Sequence, residues 1–287
     1  MSVRDYYFKH FDELNPEKKF HFAIRMKNFF KISDFDEYLM NNQPKNNLKE
    51  IIDNNDYSRV SNYEARKPFF EKYVGIYGIE AALFRVHHLL KEYGTDVRND
   101  FLKLYSQKKL YTLADRLLAD KEALKVLSTW AINVIYLTEE LFSRNRDVMR
   151  QLFDYAIGMD NNTDATTDIY FYTHLVLCES DYYKKDLSKS KNIERVKTVL
   201  SKCEKVVKDN INTISLDAAI EFLVCAKMAG MEFKETEKKI DDLCNKCFEN
   251  YPYIVNYRRD KNPNSRLYTL NGAEHINTLY IMSGLDD

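Results

Sequence analysis

The sequence predicts an all-α fold in which helix pairs repeat, as an αα-repeat solenoid or a partly closed αα-toroid. The 287 residues include only 7 glycines and 5 prolines, whereas sheet-rich folds use more of both in their tight turns. From residue 79 onwards, helices that are apolar on every side alternate with helices that have a single apolar stripe. Their starts lie about 40 to 50 residues apart, which is typical of stacked helix pairs.

Residues 1–75 are expected to form an irregular N-terminal helical cap, either within the same domain or as a small separate bundle, and residues 76–287 the repeat domain. Asn15 followed by Pro16 is a capping residue before a first-turn proline, so a helix should run to about Phe30. Shorter helices are expected from a cap at Ser33-Asp34 to near Met40, over residues 48–53, and from Ser61 through residues 63–73 with Pro68 as a site for a kink.

The helices of the repeat region fall into two classes. Those that are apolar all round should be buried on more than one side, and those with one apolar stripe should cover them. The apolar class covers residues 79–90, 129–142, 168–178, 216–229 and 273–285. The amphipathic class covers residues 96–106, 146–157, 193–209 and 234–249. Residues 251–269 have no helical pattern, and their four tyrosines favour packing over one end of the helices.

Charge and composition narrow the function classes. With 43 Lys and Arg against 44 Asp and Glu, the net charge of -1 provides no general attraction to nucleic acid or to anionic membranes. The N-terminus lacks an apolar stretch of signal-peptide type, and no apolar run approaches the ~20 residues that span a bilayer. Five cysteines without a secretory signal are expected to be reduced thiols, which favours a cytoplasmic location.

The cysteine and glycine patterns predict no cofactor and no metal site. Cys244 and Cys247 form a CxxC, but it lies inside an amphipathic helix, whereas a thioredoxin-type motif follows a strand. A zinc site needs two more ligands, and only Cys203 is expected to come near. The seven glycines are scattered, so no phosphate-binding loop is present.

The histidines are more informative, because four of the six lie on apolar helices. A buried histidine needs a hydrogen-bond partner, and acids on the same helices provide one. His174 with Glu179 and Asp181 is the densest group. Such a set suits a general base and its orienting acid, the binding of a divalent metal, or ordinary core packing, of which core packing is favoured. The candidate catalytic residues are His88 (or its neighbour His87), Glu139, His174, Glu179, Asp181 and His275.

Basic and aromatic residues are interleaved in the segment 251–269. Arginine with tyrosine suits a protein interface, and also phosphate or single-stranded nucleic acid. Because the net charge is near zero, a protein or peptide partner is favoured over nucleic acid. The candidate binding residues are Tyr257, Arg258, Arg259, Arg266 and Tyr268.

Two function classes remain open from the sequence. The leading hypothesis is a helical-repeat binding or scaffold protein that presents a concave surface to a peptide or protein partner. The alternative is an enzyme of the αα-toroid type, with a central cavity of histidines and carboxylates that acts on a small or sugar-like substrate. The last apolar helix is expected to close the repeat or to form a homo-oligomer contact.

Overall fold

The computed structural model describes residues 1–58, 60, 62–144, 146–160 and 164–286. Every regular element in these ranges is a helix and none is a β-strand, which confirms the predicted all-α fold. No helix among the described residues is long and apolar enough to cross a membrane. The α-helices are α1 (Val3–Lys9), α2 (Pro16–Phe30), α3 (Asp36–Asn41), α4 (Leu48–Asp53), α5 (Tyr63–Lys72), α6 (Ile76–Tyr93), α7 (Arg98–Leu104), α8 (Gln107–Ala119), α9 (Lys121–Leu127), α10 (Thr129–Phe142), α11 (Val148–Gly158), α12 (Ala165–Glu179), α13 (Ile193–Asn210), α14 (Leu216–Met228), α15 (Lys234–Asn245) and α16 (Leu270–Ser283). Short 3₁₀ helices cover Phe11–Glu13, Leu187–Lys189 and Arg266–Tyr268.

The chain forms two compact units. Unit 1 combines Met1–Asn42 with Ala156–Asp287, and unit 2 is Gln43–Tyr155. In unit 1, α16 packs against α2 and α14, while α12 packs against α13 and α14. In unit 2, α10 packs against α6 and α8, and α6 also packs against α4. The division into a cap of residues 1–75 and a repeat domain of residues 76–287 stays a prediction, because compactness does not establish which part folds alone.

The apolar helices form the core of unit 1. In α14, every residue from 216 to 226 is buried, and in α16 every residue from 276 to 282 is buried. The amphipathic α13 buries one stripe of side chains against this core. Each fully buried aliphatic side chain contributes roughly 1.5–3 kcal/mol, so packing rather than helix propensity provides most of the stability. Polar side chains on these helices are therefore surrounded by the apolar side chains of the core.

Local capping determines where α2 begins and ends. The Asn15 side chain accepts a hydrogen bond from the Lys18 N–H, and Pro16 occupies the first turn, as predicted. The helix ends at Phe30 because the next residue, Lys31, adopts a left-handed conformation with φ 58°. This helix carries two charged or titratable side chains of the candidate site, His21 and Arg25.

Other predicted boundaries differ in detail. Ser33 and Asp34 do not cap α3, whose N-cap position is occupied by Phe35. Ser61, the predicted start of α5, lies outside the described residues, and Pro68 lies inside that helix. The sequence interpretation assigned no helix to residues 107–127, where the structure has α8 and α9. The first has 13 residues and the second has 7, and an aspartate cap separates them.

Unit 2 depends on a close approach between α4 and α6. A Cβ atom at Gly78 would lie 2.7 Å from the carbonyl oxygen of Ile51 and closer still to that of Ile52, so only glycine allows this contact. Glu80 is a polar residue of α6 that links this helix to α10. Its carboxylate accepts a hydrogen bond of 2.7 Å from the Asn133 side chain on α10. Burial raises the pKa of Glu80 to about 7.

The segment 251–269 packs against the helices of unit 1. The Asn277 side chain on α16 bonds to both the N–H and the C=O of Ile254, each at 2.8 Å. Arg258 donates to carbonyl oxygens of Ile211 and Ile214 just beyond the end of α13. These bonds hold the segment against α16 and against the residues that link α13 to α14.

Candidate functional site

Four helices of unit 1 carry polar side chains on faces that are otherwise apolar. In each helix two of them are four residues apart, which places them on one face and one turn apart. The helices that carry them are neighbours, since α2 packs on α16, α16 on α14, and α14 on α12. The pairs are His21 and Arg25 on α2, Tyr170 and His174 on α12, Asp217 and Glu221 on α14, and Glu274 and Thr278 on α16. Together with His275 and Tyr183, we call this group the polar recess.

Two buried carboxyl groups on α14 lie at the centre of the contacts. Asp217 is 7% exposed and accepts hydrogen bonds from the Tyr170 hydroxyl at 2.5 Å and the Asn256 amide at 2.6 Å. Glu221 is 3% exposed, and its Oε1 accepts from the Thr173 hydroxyl at 2.5 Å. Both oxygens of Asp217 therefore accept a hydrogen bond from a side chain. Glu221 accepts one short hydrogen bond, from Thr173.

Their surroundings push the two pKa values in opposite directions. Burial raises the pKa of Asp217, but the neighbouring His275 and the Tyr170 hydroxyl outweigh burial, so this pKa lies below its ordinary value. Burial also raises the pKa of Glu221, and the Thr173 hydrogen bond and the charge of Arg25 only partly oppose it, so this pKa rises to about 7. At neutral pH, Asp217 is ionised and Glu221 is protonated in a large fraction of molecules.

The histidines of the recess are neutral in most molecules at pH 7, because burial and the charge of Arg25 lower their pKa values. For His174 and His275 these two effects together lower the pKa to about 3. His174 Nε2 lies 3.9 Å from Glu221 Oε1. The ring of His275 stacks on that of His21, with their centroids 5.4 Å apart.

Contacts of the Glu274 carboxylate with His21 and Lys18 occupy the α2–α16 side of the recess. His21 Nδ1 lies 2.6 Å from Glu274 Oε1, and Lys18 Nζ lies 3.6 Å from Glu274 Oε2. Burial would raise the pKa of Glu274, but the His21 partner outweighs it and the pKa falls to about 2. The Thr278 hydroxyl donates to the same carboxylate at 2.8 Å, so Glu274 is held ionised.

The arrangement is open to water although its groups are strongly desolvated. The side chain of His21 is 26% exposed and that of His174 is 16% exposed. These two side chains are therefore surrounded by protein atoms and still in contact with solvent. Convergent polar groups with shifted pKa values and contact with solvent are typical of sites that bind or transform small molecules.

Of the six candidate catalytic residues, His174 and His275 come into the same recess, where the charge of Arg25 acts on both. Glu179 lies at the end of α12, where it accepts hydrogen bonds from Ser190 and from Asn192. Asp181 is buried in the turn that follows, with a left-handed φ of 51°.

The other two belong to unit 2. His88 on α6 lies against the rings of Phe84 and His87, with centroids 6.3 Å and 6.2 Å away. Glu139 on α10 lies 3.6 Å from the Nε of Arg144, and burial raises its pKa. The catalytic role of these residues stays a prediction.

The candidate binding residues of the segment 251–269 are mostly engaged internally. The Tyr257 hydroxyl donates to the backbone carbonyl of Leu243 at 3.4 Å, and the Tyr268 hydroxyl donates to the backbone carbonyl of Asp260 at 2.7 Å. The Arg258 guanidinium donates to two backbone carbonyls. Arg259 and Arg266 are exposed. These two are therefore the members of the set that are most available to a partner.

The cysteines are all buried thiols. Burial raises the pKa of Cys244 and of Cys247, which makes them poor nucleophiles and poor metal ligands at neutral pH. Within the described ranges, no group of three or more His, Cys, Asp or Glu side chains is arranged to hold a metal ion.

The sequence interpretation missed His21, Arg25, Asp217 and Glu221. A usable signal was present, because Asp217 and Glu221 are two acids four residues apart within a helix that is otherwise apolar over residues 216–226. A carboxyl group that is buried in this way must either accept hydrogen bonds or hold its own proton, and this is true whatever helix packs against it. Comparison with known proteins finds no family model, no curated protein and no solved structure that matches this chain.

Proposed function

We propose that the chain is an enzyme that performs general acid–base chemistry on a small, sugar-like substrate in the polar recess of unit 1. The observation that supports this proposal is the carboxyl pair on α14, whose members lie one helical turn apart and have pKa values moved in opposite directions. One carboxyl that donates a proton at neutral pH and one that stays ionised are the two groups that glycoside hydrolysis requires.

In the proposed reaction, Glu221 donates its proton to the oxygen of the bond that breaks, so the leaving group departs as a neutral alcohol. Asp217 stabilises the positive charge that develops on the sugar ring and accepts a proton from the attacking water. The hydroxyl of that water bonds to the sugar carbon, and the proton on Asp217 then returns through solvent to Glu221. His174 stays neutral next to Glu221, so it does not remove the proton in advance.

A panel of p-nitrophenyl glycosides tests this proposal. Glu221→Gln is expected to lower kcat by about 10²- to 10⁴-fold, the usual contribution of a positioned acid. Asp217→Asn is expected to lower kcat as well, and the wild-type rate should fall above about pH 7 as Glu221 loses its proton. Glu194→Gln is the matched control, because that side chain is 82% exposed on α13. Absence of hydrolysis across the panel, or equal rates for the wild type and Glu221→Gln, would refute the proposal.

A binding protein for peptides is the second candidate. The observation that favours it is an open groove of about 790 Å³ formed by residues near the end of α14, by α15 and by residues 283–285. Met231, Phe233 and Leu285 provide apolar surface there, and Lys227, Lys234, Glu232 and Glu237 provide charge at its rim. Binding of fluorescent peptides that Phe233→Glu removes, with the glycoside panel negative, would favour this candidate.

Several sequence expectations stay proposals beside these two. They are the αα-repeat arrangement as solenoid or toroid, the concave binding surface, the cytoplasmic location and the preference for a protein partner over nucleic acid. A homo-oligomer contact through α16 also stays a proposal. Within unit 1, α16 packs against α2 and α14 and its residues 276–282 are buried.

A further inference from the structure

Two buried hydrogen-bond donors in the recess have no acceptor among the described residues. They are Nη1 of Arg25 and the hydroxyl of Tyr183. The two side chains are neighbours, since the guanidinium carbon of Arg25 lies 5.8 Å from the centroid of the Tyr183 ring. Tyr183 is 7% exposed. Buried donors in folded proteins almost always have an acceptor, so this pair can donate to the oxygen atoms of a bound molecule.

The backbone that carries Tyr183 is strained. Asp181, Tyr182 and Tyr183 are consecutive residues with φ values of 51°, 52° and 75°, a conformation that residues other than glycine rarely adopt. Ser180 holds this turn, because its hydroxyl accepts the Tyr183 N–H at 3.1 Å. Strain of this kind persists where the surrounding structure enforces it, commonly at functional sites. Here it places the Tyr183 ring against Arg25.

The charge of Arg25 is not neutralised by an ion pair within the described residues. The three histidines on which it acts, His21, His174 and His275, have lowered pKa values and are mostly uncharged at pH 7. Glu221 is partly protonated, and Glu274 already contacts His21 at 2.6 Å and Lys18 at 3.6 Å. The remaining acid, Asp217, has donors on both oxygens. A half-buried guanidinium whose buried Nη1 has no acceptor is unfavourable, and a carboxylate or phosphate oxygen is the acceptor whose geometry it fits.

We propose that Arg25 and Tyr183 form a subsite for the anionic oxygen group, a carboxylate or a phosphate, of the molecule that enters the polar recess. This inference rests on the proposed function, because it names the substrate class of the same recess. The substrate would then be an acidic sugar or a sugar phosphate. The anionic group would bind to Arg25 and Tyr183, while the bond that breaks would lie next to Asp217 and Glu221.

Calorimetric titration at pH 7 with D-glucuronate, inorganic phosphate and D-glucose tests the subsite. The wild type should bind at least one of the two anions and bind D-glucose at least tenfold more weakly. Arg25→Gln should weaken anion binding at least tenfold, and Tyr183→Phe, which removes one oxygen atom, should weaken it about three- to tenfold.

Matched variants control for general effects of the substitutions. Arg4→Gln changes another half-buried arginine of unit 1 that lies over an aromatic ring, 5.3 Å from the centroid of Phe8. Tyr38→Phe removes a hydroxyl that has a backbone acceptor at 3.4 Å. Both should bind the anions as the wild type does. Tyr183→Phe should melt no lower than the wild type, because its hydroxyl has no acceptor to lose.

The outcomes separate the two proposals. Binding of phosphate alone assigns a phosphoryl group and binding of glucuronate alone assigns a carboxylate, and either supports the subsite. A wild type that binds neither anion, or that binds D-glucose equally well, overturns it, as does unchanged affinity in folded Arg25→Gln or Tyr183→Phe. Hydrolysis of a neutral glycoside without anion binding would overturn the subsite alone, whereas anion binding without any hydrolysis would count against the proposed function alone.

Discussion

Replacing Glu221 by glutamine should change how the stability of the protein depends on pH. Burial raises the pKa of this carboxyl from its ordinary value of 4.5 to about 7 in the folded chain. Between these two values, the unfolded chain has lost the proton and the folded chain still holds it. Folding therefore takes up a proton, and the free energy of unfolding falls as the pH rises through this window. Below pH 4.5 the carboxyl is protonated in both states and contributes no such loss.

The size of the effect follows from the same two values. At about 1.4 kcal/mol per pH unit, the wild type should lose about 2 to 3 kcal/mol between pH 5 and pH 8 relative to Glu221→Gln. Neighbouring groups do not obscure this change, because the histidine and aspartate titrate at lower pH and the tyrosines and cysteines at higher pH. The titratable groups around Glu221 are Tyr170, His174, Tyr183, Cys203, Asp217 and Cys225, and the fixed charge near it is that of Arg25.

Urea unfolding of both proteins at several pH values measures this difference. The quantity to compare is the free energy of unfolding of the wild type minus that of Glu221→Gln at each pH. Glu80 also has a pKa of about 7, but it is present in both proteins and cancels in the subtraction. A difference that is constant from pH 5 to pH 8, or that grows with pH, would refute the assignment of a protonated Glu221. Glu194→Gln, an exposed acid, should give a flat difference.

Three further substitutions test the packing and capping contacts. Gly78→Ala should lower the free energy of unfolding by about 1–3 kcal/mol in urea titrations, because its Cβ would overlap carbonyl oxygens of α4, whereas Gly158→Ala, with open space around it, should be neutral within about 0.5 kcal/mol. Asn277→Ala should cost about 1–3 kcal/mol by leaving the backbone groups of Ile254 without partners, and faster amide exchange at residue 254 would report it. Asp286→Ala should cost about 1 kcal/mol and lower Tm, because its carboxylate accepts the first two N–H groups of α1 at 2.7 Å each; an unchanged Tm would contradict this capping role.

The fold class and most helices were predictable because helical signals are local. The capping pair Asn15 and Pro16 identifies the start of α2, and the apolar run of residues 216–226 identifies α14 as a buried helix. The helices over residues 107–127 were missed although a local signal was present, because α8 has a Ser106 cap and buried apolar residues at the helical spacing of 110, 113, 114 and 117.

The candidate site was only partly predictable. His174 and His275 were identified because histidines on apolar helices are conspicuous, and both lie in the polar recess. Arg25 and His21 were not, because α2 belongs to the irregular first third of the chain and no local pattern indicates that it packs on α16. Tyr183 has no sequence signal at all, since its position depends on a strained turn without glycine.

By itself the sequence determined that this chain is helical, which helices are buried, and that histidines and acids lie on the buried ones. Helical periodicity extends over a few turns, and that is enough to state which face of each helix is apolar. Only the tertiary structure decided which faces meet: that α2 from one end of the chain joins α12, α14 and α16, and that Arg25 and Tyr183 lie together without an acceptor. The pKa values of Asp217 and Glu221 likewise depend on neighbours distant in the chain, because desolvation and charge act through space and not along the sequence.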